Sequence, residues 1–570
     1  MADETLPPHR RDPIKSSVGN VAANRRRQLA VTVGKERREA LMRTKRLCRV
    51  GVNDDDVIPV DSDMMIDEEQ SVLDDQTFTA VEELKLALAY QLKWSLLNLG
   101  KGAMAKRVAA LRELRRLLSR SEFPPVEAAL KAGAVPLLVQ GLSFGSPDEQ
   151  LLEAAWCLTN IAAGKPEETK ALLTALPLLI AHLGGMVGTL SGADFDSEVA
   201  EIQASVVADV NELGETVLFT AADRGHLDVK RSSSPVAEQC AWALGNVAGE
   251  GEELRKVLLS QGALLPLARM MLPNKGSTVR TAAWALSNLI KGPDPSAATE
   301  LIKIDGVLDA ITRHFRKADE ELATEVAWVV VYLSALSNVA FGMLVKSDLL
   351  QLLVERLATS NSLQLLIPVL RSLGNLVAGD AHTTNVLVAG HGITDNVIAA
   401  LIKCLKSEHR VLKKEAAWVL SNIAAGSIEH KQLIYSSEAV PLLLRLLSTE
   451  PFDIRKEVAY VLGNLCVAPS EGSGRPSLIL DHLVSLVSKG CLPGFVDLVR
   501  SADTEAAKLG LQFMELVLRG MPNSEGPKLV EREDGIDAME RFQFHENEEL
   551  RNMANELVDT YFGEDYGLDE

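Results

Sequence analysis

A short pattern recurs seven times along the chain and narrows the folds open to it. An aromatic residue is followed four positions later by asparagine, among small and aliphatic residues. Clear copies are EAAWCLTNIAAG (Trp156, Asn160), QCAWALGNVAGE (Trp242, Asn246), TAAWALSNLIKG (Trp284, Asn288) and EAAWVLSNIAAG (Trp418, Asn422). Degenerate copies are EVAWVVVYLSAL (Trp328, Tyr332), LRSLGNLVAG (Arg371, Asn375) and EVAYVLGNLCVA (Tyr460, Asn464). Successive first positions stand 86, 42, 44, 43, 47 and 42 residues apart. A period near 42 is the mark of stacked helical units, each covering its neighbour's apolar face.

Length and composition agree with a stack. At 570 residues the chain exceeds what one ordinary core can use. Hydrophobic residues reach 47% while aromatics stay at 4%, a balance that favours helices over sheet. Earlier in each unit comes a segment such as GAVPLLVQGL (133–142), GALLPLA (262–268) or EAVPLLLRLL (438–447). There glycine ends one short helix and proline opens the next. The unit therefore has three helices, with the Trp/Asn helix last, as in armadillo repeats. The expected fold is all-α: a right-handed superhelical armadillo solenoid of about ten three-helix repeats.

The domain expectations follow. Residues 1–53 form a basic segment and 54–80 an acidic, disordered linker. The repeat array occupies 81–563, and 564–570 are an acidic tail. The 86-residue step exceeds two periods of the array, which places an atypical insertion at about 184–234, ending in KRSSSP. The stretch 326–345 lacks charge and is 20 residues long, enough to span a bilayer, but its phase matches the repeat and it reads as buried helix. The six cysteines are scattered without a C-x-x-C pair, which leaves zinc and redox chemistry without support. No P-loop, G-x-G-x-x-G, H-E-x-x-H or G-x-S-x-G occurs, so no enzyme and no cofactor are expected.

Residues four apart share a helix face, so each aromatic and its asparagine point the same way. One such pair reads as ordinary core. Seven in phase do not, because asparagine is a poor interior helix residue and costs free energy when buried unpaired. Stacking turns the pairs into a ladder. An asparagine amide carries a donor and an acceptor and suits the main chain of an extended peptide. Slots between tryptophan rings suit Lys or Arg stems, with cation–π attraction of about 0.5–2 kcal/mol each. Acids sit in fixed phase at the slot rims: Glu153, Glu325, Glu415 and Glu457 three residues before the first position, and Glu250 four after Asn246.

Charge points the same way. The chain carries −19 overall, yet residues 1–50 hold 13 Lys/Arg against 5 Asp/Glu, so the rest carries −27. Residues 54–75 hold ten acids and no base. An acidic body repels nucleic acid and attracts basic ligands, its own head among them.

The order W..N, W..N, W..N, W..Y, R..N, W..N and aromatic..N resembles the importin alpha family, over nearly the whole chain. So does the C-terminal GIDAMERFQFHENEELRNMANELVDTYFGED. The resemblance implies a nuclear import adaptor whose groove binds nuclear localisation signals. Its major site would use Trp156, Asn160, Gly164, Thr169, Gln239, Trp242, Asn246, Glu250, Trp284 and Asn288. Glu250 stands where the family usually has Asp. The minor site would use Glu325, Trp328, Arg371, Asn375, Glu415, Trp418, Asn422, Glu457, Tyr460 and Asn464, with Tyr460 in place of Trp. The stretch 25–49 is similar to the importin-beta-binding segment. Its Arg25, Arg26, Arg27, Lys35, Arg37, Arg38, Arg43, Lys45 and Arg46 would bind importin beta or lie in the groove as an autoinhibitor. The implied partners are basic cargo, importin beta and an exportin that recycles the chain. The implied localisation is shuttling between cytoplasm and nucleus, with transient contact at the nuclear envelope. The alternative is a non-transport armadillo scaffold for extended peptides. A catenin-type groove for acidic peptides would be basic, and these rungs carry Glu.

Overall fold

Aliphatic residues at spacings of three and four recur through the chain, and short Gly- or Pro-marked breaks interrupt them. That pattern folds as helices which must pack side by side to hide one stripe each. The computed structural model describes residues 63–94, 100–120, 123–184, 233–273, 276–317, 319–379, 381–389, 397–468 and 476–563. Among these, every regular element is helical. Ten long helices recur as the last of each repeat: 100–118, 148–161, 234–250, 277–290, 320–336, 363–377, 410–424, 452–465, 504–520 and 548–562. This is the expected all-α armadillo architecture. The turn from first to second helix needs glycine where φ is positive: Gly133, Gly262 and Gly306 sit at +77°, +79° and +81°.

The contacts divide the chain into two units, meeting at Ala340 and Phe341. In the first unit, the last helices 148–161, 234–250, 277–290 and 320–336 pack each on the next. In the second, 363–377, 410–424 and 452–465 do the same. The core runs along these stacks. Leu111, Leu114, Leu138 and Leu142 are fully buried in the first, Phe495 and Phe513 in the second. Each such side chain contributes roughly 1.5–3 kcal/mol.

The acidic linker needs correction. Residues 63–80 are not a disordered tether: they form the first half of a helix, Asp63–Trp94, packed on helices 100–118 and 126–131. Leu73, Thr77, Ala80, Val81, Leu84 and Leu88 are buried along one stripe, and Asp75, Glu82 and Glu83 face outward. Dense acids masked an apolar stripe that starts within the linker. The basic segment with all nine of its named residues, the bulk of the insertion (185–232) and the tail 564–570 lie outside the described residues. On either side of the insertion, helix Leu176–Leu183 packs against helix Ser234–Glu250, the second and third helices of one repeat.

The uncharged stretch 326–345 is divided between two helices, Glu320–Leu336 and Asn338–Val345, which part at an extended Ser337 (φ −118°, ψ 117°). No single described helix is long and apolar enough to cross a membrane. One bent pair, Ser477–Ser488 with Leu492–Val499, reaches that hydropathy only across an 84° bend.

Buried histidines tie repeats together. His182 Nε2 donates to the Leu142 carbonyl at 2.7 Å, and His314 Nε2 to that of Met271 at 2.9 Å. His430 Nδ1 accepts from the Ser427 amide at 3.2 Å, which requires a neutral ring. Burial pushes all three, and His482, below the ordinary histidine pKa. The unfolded chain then binds more protons than the folded one as pH drops below about 6.5. The histidines' contribution to stability is therefore full above that pH and is lost beneath it. Thermal unfolding at pH 7.5 and pH 5.5 is expected to show a clearly lower Tm at pH 5.5. An equal or higher Tm would contradict the neutral-histidine account.

Candidate functional site

The ladder is built from the last helix of each repeat, and its asparagines have an internal task. Asn246 Nδ2 donates to the Thr159 carbonyl at 3.2 Å, and Asn288 Nδ2 to that of Gly245 at 3.2 Å. Asn422 Nδ2 donates to Gly374 O at 3.1 Å, and Asn464 Nδ2 to Ser421 O at 2.9 Å. In every case the acceptor is the residue just before the preceding rung's asparagine. Asn160, at the start of the series, donates to the Ser119 hydroxyl at 2.9 Å. Each of these five asparagines thus holds its helix to the one before, which offsets part of the cost of burying it. Asn160, Asn246, Asn288, Asn375 and Asn464 are buried, and Asn422 is half-buried. At Asn288 the acceptor end is also engaged, by Lys291 Nζ at 3.0 Å.

The rings rest on the same positions. An ideal Cβ on Gly245 would lie 2.2 Å from the Trp284 ring, and one on Gly374 would lie 1.7 Å from that of Trp418. At these two rungs only a glycine leaves room for the next tryptophan. Sequence reading had passed over these glycines. The available signal was a glycine in mid-helix, L-G-N, which costs about 1 kcal/mol against alanine and so has a packing reason. Trp242 and Trp284 stack at 5.1 Å between ring centroids, 28° from parallel. A hydrocarbon stem between two rings needs a van der Waals contact on each side, roughly 7 Å in all. At 5.1 Å the two rings leave no room for such a stem between them.

Other slots hold the chain's own cations. The Arg115 guanidinium lies over the Trp156 ring, 4.6 Å from its centroid, and its Nε bonds Glu153 at 2.5 Å. Arg112 also reaches Glu153, at 3.3 Å. Arg371, which replaces an aromatic, pairs with Glu415 through Nε at 3.0 Å and an Nη at 2.7 Å, both residues being buried. Two of the rim acids are therefore paired internally. Tyr460, in place of tryptophan, donates its hydroxyl to Glu505 at 2.8 Å. Lys456 bonds the same carboxylate at 2.9 Å and Asp503 at 2.8 Å. Arg115, Lys456 and Glu505 carried no recognisable motif, because their roles arise from neighbouring repeats.

The remaining positions fall as follows. Gln239 donates to the Thr159 hydroxyl at 2.8 Å. Glu250, half-buried, ends helix Ser234–Glu250. Trp328 and Tyr332 are buried neighbours with rings 6.3 Å apart. Glu325 is buried and Glu457 half-buried. Gly164 closes the turn after helix Asp148–Ile161. Thr169 is buried and faces inward, with its hydroxyl donating to Ala162 O at 3.3 Å. The same seven-residue tie recurs as Arg255 to Ala248 O at 3.1 Å, Thr384 to Val377 O at 3.0 Å and Lys431 to Ala424 O at 2.5 Å. The residues of 156–288 thus share one stack of packed helices, and those of 371–464 another, with Glu325 and Trp328 belonging to the first. Among the described residues no cluster suited to a metal ion occurs.

A ladder of asparagines and rings on stacked three-helix units defines an armadillo-repeat protein. The family model "Armadillo/beta-catenin-like repeat" matches residues 123–163, 251–291, 392–425 and 427–467. The chain is 67% identical to importin subunit alpha-9 of Arabidopsis thaliana, over 100% of both chains. It is 58% identical to importin subunit alpha-2 of Oryza sativa subsp. japonica, again over the full length of both. Among solved structures, an engineered protein superposes with a TM-score of 0.63 at 22% identity, covering 85% of this chain and 98% of its own. That likeness shows the fold alone. The chain belongs to the importin alpha family, and its role lies in nuclear import.

Gly245→Ala is expected to drive Trp284 from its seat. Denaturant unfolding should show about 1–3 kcal/mol lost, the range of an overpacked core, with a shifted tryptophan emission. Gly342→Ala, where no atom lies within 4 Å of the added carbon, should lose nothing. Equal behaviour of the two variants would refute the seat.

Proposed function

We propose that this chain is the cargo adaptor of nuclear import: it binds Lys/Arg-rich localisation signals along the asparagine ladder and couples them to importin beta through its basic N-terminal segment. The observation that carries the reading is the phase of rings, asparagines and acids on consecutive helices that pack one on the next. Tryptophans recur at the repeat spacing, half-buried at Trp156 and Trp418 and buried at Trp242, Trp284 and Trp328, and asparagines fix the spacing. A basic stem entering between Trp242 and Trp284 would part the stacked rings and exchange ring–ring contact for cation–π contact. Glu250, one turn beyond Asn246, supplies the charge that selects lysine or arginine. Where the chain's own Arg115 covers Trp156, an incoming arginine would have to share or displace it. On this reading the central pair, Trp242 and Trp284, is the first slot to be filled. Shuttling between cytoplasm and nucleus, and recycling by an exportin, complete the proposed cycle.

The basic head is proposed to compete with cargo. Sixteen residues, 47–62, separate Arg46 from the helix that begins at Asp63. Their full reach is about 55 Å, shorter than a free tether running to residue 80 would give. Self-occupancy of the groove is therefore confined to what that reach allows. When importin beta captures residues 25–49, the competitor leaves and cargo affinity rises, a reciprocal coupling.

Trp242→Ala with Asn246→Ala is expected to cost about 2 kcal/mol or more of affinity for a Lys/Arg-rich peptide. The asparagine also staples repeats, so a further loss of about 1 kcal/mol in stability should accompany it. Fluorescence anisotropy of a labelled peptide checks the first and denaturant unfolding the second. Glu250→Lys should weaken the same peptide without loss of stability. Undiminished affinity in both variants would remove the groove as the binding site. For the head, a chain starting at residue 63 should bind the peptide more tightly than the full chain. Equal affinity at low and at physiological salt would show that the head is no competitor.

A further inference from the structure

One lysine in the second unit is placed where lysines rarely are. Lys431, in helix Ile428–Tyr435, is 1% exposed. Its ammonium makes no ion pair among the described residues. It donates to two carbonyls instead: Ala424 O at 2.5 Å and Asn464 O at 2.7 Å. Those oxygens end two consecutive ladder helices, Arg410–Ala424 and Phe452–Leu465. The first carries Trp418 and Asn422, the second Tyr460 and Asn464. A cation at helix C-termini meets the negative ends of both dipoles, which explains how the charge is tolerated without a carboxylate. At the equivalent place in other repeats, Thr169 and Thr384 make the tie to their own helix with a neutral hydroxyl, and Arg255 makes it with a guanidinium. Lys431 alone of these is seen to reach the next ladder helix as well.

The link falls beside the Asn464 staple. Asn464 Nδ2 holds Ser421 O at 2.9 Å while its own carbonyl is held by Lys431. The offset between the Trp418 rung and the Tyr460 rung is thus fixed at two points. We propose that Lys431 is a positioning residue for this half of the groove, its ammonium setting the spacing of the last two rungs that grip a basic peptide. The inference rests on the peptide-binding reading above.

The surroundings leave Lys431 as the group that titrates near neutrality. Burial lowers its pKa to about 8. Cys466, at the end of the Asn464 helix, is pushed well up, and Cys491 beyond it to about 12, so both thiols stay neutral. His482, on helix Pro476–Ser488, and His430, on its own helix, are pushed down and are neutral at pH 7 and above. The nearby acids Glu429 and Asp481 are exposed. Above pH 8 the amine loses its charge, and the bonds to both carbonyls weaken. The two possible roles then differ in sign. The depressed pKa makes the fold's stability rise with pH between about 8 and 10.5. Positioning makes peptide affinity fall over the same range, because binding favours the charged form.

The test uses the full chain and a labelled peptide with two arginine clusters, whose own charge does not change in this range. Anisotropy titrations run from pH 7 to pH 9.5 on the parent, Lys431→Arg, Lys431→Met and Trp418→Ala. The parent is expected to lose affinity about three- to tenfold across the range. Lys431→Arg should match the parent at pH 7 and lose little by pH 9.5, and Lys431→Met should be weak throughout. A flat parent profile, or the same slope in Lys431→Arg, overturns the proposal even if Lys431→Met fails to fold. If the parent does not bind the peptide, or Trp418→Ala binds it equally well, the groove reading falls, and the role of Lys431 with it.

Discussion

The hydrogen bond from four of the ladder asparagines to a carbonyl of the preceding rung is the interaction on which the rest depends. A helical stack held by aliphatic contact alone could slide, because leucine and alanine faces fit at more than one offset. The amide-to-carbonyl bond admits one offset. It pins Asn246 to Thr159, Asn288 to Gly245, Asn422 to Gly374 and Asn464 to Ser421. With the offset set, Trp284 and Trp418 come down on glycines, and the rings take fixed places along the stack. Binding geometry is then a by-product of how the repeats are joined.

This arrangement gives asparagine two uses at one position. The amide has two N–H groups and a carbonyl, and the staple consumes one N–H. What remains is what the proposed peptide would have to meet, except where the chain already uses it, as Lys291 does at Asn288. The same economy appears among the charges. Glu153 and Glu415 read from sequence as acids waiting for cargo, yet Arg115 and Arg371 answer them from within. An unpaired row of buried carboxylates would be costly, and internal arginines relieve that cost. The Trp242 and Trp284 rings likewise answer each other, stacked at 5.1 Å.

Much of the fold was legible in the sequence, because it depends on a period. The 42-residue spacing, the Gly and Pro breaks and the Trp/Asn helix each reflect local chemistry that every repeat must satisfy. The ladder residues could be named for the same reason. What could not be read were relations between repeats. Arg115 over Trp156, Glu505 beneath Tyr460 and Lys431 between two helix ends join residues tens of positions apart, with no motif to mark them. The helix over 63–80 was hidden differently. Its charge density suggested a solvated linker, while Leu73, Thr77, Ala80 and Leu84 carry the stripe that docks it. Charge counts describe the exposed face of such a helix and are silent about the other.

The central claim is that the rings and asparagines together form the place where a basic peptide lies. It is tested most directly by determining the structure of the chain bound to a Lys/Arg-rich peptide and measuring the separation of the Trp242 and Trp284 rings. The account requires the pair to open from 5.1 Å to about 7 Å or more, with a lysine or arginine stem between them and the peptide main chain on the ladder asparagines. A peptide bound elsewhere, with the two rings still stacked at 5.1 Å, would contradict it.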